Sequence, residues 1–158
     1  MESRSFFNIP ASKGKRQLRI KDIKMLNSLG FEVTVSKSLD ETIDLVTSLL
    51  KSEGFGILTR IDVRATLKEK IGVDFRPYII LGACNPPLAH SALEADAWLG
   101  LLLPCNVTVE QSADQTSIVR IANPGMMVEF AQSPEKLTEV AQAATGKLQR
   151  IVKALEMA

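Results

Sequence analysis

Gly82-Ala83-Cys84-Asn85-Pro86-Pro87, then a helical run, then Leu103-Pro104-Cys105-Asn106-Val107, is the segment that decides how this chain reads. Pro77 to Ala83 is apolar on both faces, which predicts an interior strand. Asn85 is a good helix N-cap and proline suits the first turn, so a helix should start there and end near Asp96. After the apolar loop Trp98–Leu103, Cys105 to Gln111 alternates Val107 and Val109 with Thr108 and Glu110, a fourth strand. Thr116 to Ala122 returns from a turn at 113–115 as a fifth strand, making a hairpin.

Working outward, Phe31 to Val35 and Phe55 to Ile61 alternate in the same way and supply two earlier strands. Ser38-Leu39-Asp40-Glu41 is a capping box that opens a helix to about Glu53, with Leu39, Ile43, Val46 and Leu50 on one face. Asp62 can cap a short helix over 63–71 that ends at Gly72. Asn123-Pro124-Gly125 breaks the pattern, and Met126 to Phe130 has room for one or two helical turns. Ser133-Pro134-Glu135 opens a last helix, whose stripe runs through Leu137, Val140, Ala141, Ala144, Leu148, Ile151, Val152 and Leu155. Short connections between strands favour one antiparallel sheet of about five strands. Two long helices would cover one face, with short helices inserted: an α+β fold.

The length of 158 residues fits one domain with a tail and can bury a real core. The division expected is a basic N-terminal extension over 1–30 and a single α+β domain over 31–158. Residues 1–24 carry seven basic and two acidic groups; the remainder carries twelve basic and sixteen acidic. Apolar residues at 20, 23, 26 and 29 allow a short helix over 18–29, stopped by Gly30. The leader reads as a solvated addition to the fold. The acidic body argues against nucleic acid as a partner. The longest apolar run, Trp98 to Leu103, is too short to span a bilayer, and no signal-peptide core is visible. These features predict a cytoplasmic protein, with its two cysteines reduced and no disulfide framework.

In a meander, the end of the third strand and the start of the fourth share one edge. Cys84 and Cys105 would then be neighbours, with Asn85 and Asn106 capping the local backbone. Cys84 precedes a helix start, where backbone donors and the helix dipole can favour a thiolate. His90 and Glu94 sit four apart on one helix face. Two thiols, an imidazole and a carboxylate could hold a soft metal ion, but the spacing matches no zinc motif, and no metal or cofactor is expected. A reversible disulfide between the cysteines is the redox alternative. The plain alternative is that both are small buried hydrophobes. No phosphate loop, nucleophile elbow or Ser-His-Asp set is present, and a Cys84 nucleophile with His90 as base has no orienting group.

Gly82-Ala83-Cys84-Asn85-Pro86, Ala89, Ala92-Leu93, Gly100 and Leu103-Pro104-Cys105-Asn106-Val107 resemble the domain-of-unknown-function family numbered 302. The resemblance covers roughly residues 31–155. It implies a sheet similar to the TATA-binding-protein fold and a homodimer, and it supplies no reaction. Taken together, the expectation is a small non-catalytic domain that binds a small ligand or partner in a cleft lined by Cys84, Asn85, Cys105, Asn106, His90 and Glu94. The alternative is a thiol-redox or metal-handling protein that uses Cys84 and Cys105.

Overall fold

The computed structural model describes residues 29–132 and 134–158; the expected helix before Leu29 and the Ser133 cap lie outside the described residues. The chain runs β1 (Gly30–Val35), α1 (Leu39–Ser52), β2 (Gly56–Asp62), α2 (Val63–Ile71) and β3 (Tyr78–Cys84). It continues with α3 (Pro86–Ala95), a 3-10 helix (Ala97–Leu102), β4 (Cys105–Ala113), β5 (Thr116–Ala122), α4 (Met126–Phe130) and α5 (Pro134–Glu156). The strands form one sheet in the order β1-β5-β4-β3-β2, and every neighbouring pair is antiparallel. The fold is the α+β arrangement expected from the sequence.

Alternation along each strand sends one row of side chains to the helices. Val33 and Val35 of β1, Val119 and Ile121 of β5, Val107 and Val109 of β4, and Ile79 and Leu81 of β3 form that row. They pack against Ile43, Val46 and Leu50 of α1 and Leu148, Ile151 and Leu155 of α5. Each such side chain contributes about 1.5–3 kcal/mol on burial. A second, smaller cluster joins Ala92, Leu99, Cys105, Met127 and Leu137 beside the first.

The ends of α1 are fixed by local chemistry. Ser38 and Glu41 form the capping box, with the Glu41 carboxylate accepting from the Ser38 N–H at 3.0 Å. At the other end Gly54 takes φ 83°, a left-handed conformation that suits glycine. The Gly54 N–H donates to Lys51 O at 3.0 Å and the Phe55 N–H to Leu50 O at 2.9 Å. These are the two bonds of a Schellman stop, and Leu50 and Phe55 supply its apolar contact inside the core. Gly30, expected as a helix stop, is instead the first residue of β1, paired with Ala122.

Among the described residues, the other face of the sheet carries no long helix. Its outer part is ionic: Arg120 donates to Glu110 at 2.7 Å and to Glu32 at 2.6 Å, and Arg76 also pairs with Glu110. Its remaining part, beside the 3-10 helix, is apolar. There Gly82 lies under Thr59 and Pro104; a Cβ on Gly82 would collide with Thr59 Oγ1 and sit 2.7 Å from Pro104 Cγ. Gly82 is thus required by close approach, since the proline ring cannot rotate away. Gly82→Ala should cost about 1–3 kcal/mol by overpacking. Adding Thr59→Ala should recover only part of the loss, because Pro104 still collides; denaturant unfolding of the two variants measures both.

Candidate functional site

Strand register builds the site. Ala83 stands opposite Cys105 and Gly82 opposite Asn106 across the β3–β4 pair, while Cys84 pairs with Gly56 on the other side. Cys105 is therefore a row-mate of the helix-facing core residues, and it is buried. Cys84, one step past Ala83, is half-buried at the point where β3 hands over to α3. Both line one small cavity together with Asn85, beneath α3 and α5. Its walls include Phe55 and Ala83 from the main core and Ala92 and Met127 from the second cluster. The enclosed space is about 30 Å³, room for one or two water molecules, and about 380 Å³ counting the open mouth.

Both cysteines are free thiols. Burial, with the neighbouring Cys84 adding a like-charge penalty, pushes the Cys105 thiol up from 9.0 to about 11. At neutral pH Cys105 is thus a neutral, inert thiol, which suits a packing residue.

Asn85 is spent on structure. Its Oδ1 accepts from the Leu88 N–H at 3.3 Å, capping α3, and its Nδ2 donates to Glu53 O at 3.4 Å. Glu53 closes α1, and its carbonyl also accepts from Lys147 Nζ at 3.0 Å. Its carboxylate takes two bonds from the Arg150 guanidinium, at 2.8 and 2.7 Å. These bonds hold the Glu53 carboxyl below its ordinary range. One residue thus ties the end of α1 to α5 and to the β3–α3 corner. Residue spacing made the Asn85 cap visible, but nothing marked Glu53, Lys147 and Arg150, which lie 32 to 65 positions away from Asn85.

The remaining expected site residues are not brought together. Asn106 lies within β4, exposed on the open face, and caps no helix. Its strand position explains this: alternation puts it on the side opposite Cys105. His90 and Glu94 are exposed on α3 and neither lines the cavity. Among the described residues, no three His, Cys, Asp or Glu side chains could share a metal ion. No described helix is long and apolar enough to cross a membrane.

A family model described as a domain of unknown function, DUF302, matches residues 31–155, and the chain belongs to that family. The crystal structure of an uncharacterized conserved DUF302 protein from Bacillus stearothermophilus is similar, with a TM-score of 0.71 and 33% identity. That match covers 80% of this chain and 98% of the other. No curated protein matches.

The thiols give a direct test. Cys84 should be alkylated faster than Cys105 in the folded protein at pH 8, because Cys105 is buried and protonated. Between 9.0 and about 11 the folded Cys105 keeps a proton that the unfolded chain has lost. The unfolded state binds fewer protons there, so stability should fall as pH rises through that window. Cys105→Ala should flatten this slope in alkaline unfolding curves, and an unchanged slope would show that Cys105 does not set it.

Proposed function

We propose that this family member is a non-catalytic binding module whose cavity at the Cys84–Asn85 corner takes a small apolar ligand. The observation that carries the reading is the cavity's position. It lies on the seam between two apolar clusters, walled by Phe55, Leu88, Ala92, Leu103 and Met127. Its polar side chain, Asn85, already has both ends bonded. Such a wall discriminates by shape and apolarity. At about 30 Å³ the enclosed space is smaller than a ligand. Binding therefore requires α3 to move outward, which separates two clusters without breaking the sheet.

The thiol-redox reading has less support. The direct cross-strand partner of Cys105 is Ala83, both thiols are free, and Cys105 is held protonated. The homodimer implied by the family resemblance finds a surface in the exposed Trp98, Leu101 and Phe130, which surround a hollow of about 440 Å³. We infer that two copies meet there. Leu101→Asp should shift a light-scattering mass from dimer to monomer at micromolar concentration; a wild-type monomer mass would refute the dimer.

Small aromatic probes test the cavity. Benzene or indole should raise the melting temperature in proportion to the logarithm of concentration once binding is saturated. Ala92→Leu, which fills the space beneath α3, should abolish that rise while changing stability by no more than a typical overpacking cost of about 1–3 kcal/mol. Absence of any rise with the unmodified protein would sink the proposal.

A further inference from the structure

α3 covers the Cys84–Asn85 cavity, and its sequence gives it little to hold on with. Of its residues Ala92 alone is buried, whereas α1 buries four and α5 six. Leu88, Ala89 and Ala92 form its wall of the cavity, and two of these three side chains end at Cβ. His90 and Glu94 face solvent, and Ser91 Oγ donates to Pro87 O at 3.1 Å within the helix itself. Among the described residues, no hydrogen bond or ion pair joins residues 86–95 to another element. Few buried contacts and no polar ties along its length mark a segment of low local stability.

The helix is tied instead at its two ends, each by a buried polar residue. Asn85 and Asp96 are 9% and 8% exposed. At the far end the Asp96 carboxylate accepts from the Trp98 and Gln132 N–H groups, both at 2.9 Å. The charged acceptor makes these the stronger bonds. At the near end Asn85 Nδ2 reaches Glu53 O at 3.4 Å, outside the ordinary range of about 2.7–3.2 Å. That carbonyl also accepts from Lys147 Nζ at 3.0 Å. Releasing Asn85 therefore orphans neither group. Lys147 keeps Glu53 O, and the Asn85 Oδ1 cap on the Leu88 N–H travels with the helix.

We propose that α3 is a lid over the cavity, hinged at Asp96 and latched by the single Asn85–Glu53 bond. The inference rests on the cavity being the binding site proposed above, and it names what governs entry. Opening widens the gap between Ala92 on α3 and Ala141 and Ala144 on α5, which line the same space. Cys84 is the last residue of β3 and Asn85 the joint after it, so this end shifts without parting the interior of the sheet. Asp96 stays bonded to Gln132, so the 3-10 helix with Trp98 and Leu101 keeps its place.

Thiol labelling reads the lid, with Cys105 as reporter because it lines the cavity and is buried. In a Cys84→Ala chain, Cys105 should react with a disulfide reagent at a rate that is flat at low urea and steepens only near global unfolding. That profile marks a local opening, which exposes little surface. Asn85→Asp keeps a cap acceptor for α3 and removes the amide donor. In the flat regime it should speed labelling about 2- to 12-fold, the factor for one hydrogen bond. Labelling that climbs steeply from zero urea, or that Asn85→Asp leaves unchanged, would overturn the proposal. Should Cys84→Ala fail to fold, hydrogen exchange with both cysteines in place gives a second readout. There Asn85→Asp should speed the α3 amides and spare those of β4; equal speeding of both would sink the lid. Neither measurement contains a ligand. A chain that opens yet shows no melting rise with benzene refutes the binding reading alone. A chain that binds benzene, with Cys105 labelled only on global unfolding, refutes the lid alone.

Discussion

β1 and β2 run in the same direction at opposite margins of the sheet, and the chain must travel between them in one connection. That journey sets the architecture. The connection must cover about 19 Å across four strand spacings and return about 20 Å along a strand of six residues. The diagonal is about 28 Å. A helix of 14 residues supplies about 21 Å of it, and the flanking residues supply the rest. α1 therefore crosses one face, and α5 packs beside it on the same core with Leu148, Ile151 and Leu155. Both long helices are committed to that face, and the opposite face is left to side chains alone.

The two faces then solve the problem of exposure differently. On the covered face apolar burial does most of the work, and Ser117, the polar member of the inward row of β5, has its hydroxyl donating to Lys37 O at 3.0 Å. Glu53 shows how few polar groups are needed: one carbonyl and one carboxylate receive Asn85, Lys147 and Arg150. On the open face, Glu110 sits between Arg120 and Arg76. Burial opposes its ionisation, yet the hydrogen bonds from Arg120 and then Arg76 outweigh this and hold its carboxyl low. Arg76 in turn lies over the Phe75 ring at 4.5 Å, so the ionic part of that face is also shielded by an aromatic. The apolar part, with Leu29, Ile61 and Leu101 exposed, has no such device within the described residues.

Sequence patterns legible over short distances survive intact in the structure. The Ser38 capping box, the Asp62 cap with its Gly72 stop, and the Asn85-Pro86-Pro87 start all depend on residues within four positions of one another. Strand alternation was equally legible and identifies the buried rows of β1, β4 and β5. What periodicity could not supply was the strand order, because a crossover to the far edge and a hairpin to the near one leave the same pattern. The Trp98–Leu103 run read as a loop; its 3-10 turn depends on Asp96, whose carboxylate accepts from Trp98 N–H and, 36 residues away, from Gln132 N–H. At the site, proximity of Cys84, Asn85 and Cys105 was legible from the meander. Asn106 is separated from them because alternation along β4 turns it to the face opposite Cys105.

That separation changes what the two Cys-Asn pairs do. In β4 the pair straddles the sheet, with Cys105 facing the core and Asn106 the open face. At the end of β3 the pair turns the corner, with Cys84 closing the strand and Asn85 opening α3. The same dipeptide thus serves two different geometries, and the resemblance between them is one of composition. Small, uncharged and apolar at neutral pH, a cysteine fits beside Ala83 where a larger residue would fill the cavity. Asparagine fits the corner because one amide can cap a helix and reach a carbonyl at once. Asn106 has neither task. Of the four motif residues it alone presents a polar group to the open face, where its amide stands beside the apolar wall of Leu29, Ile61 and Leu101.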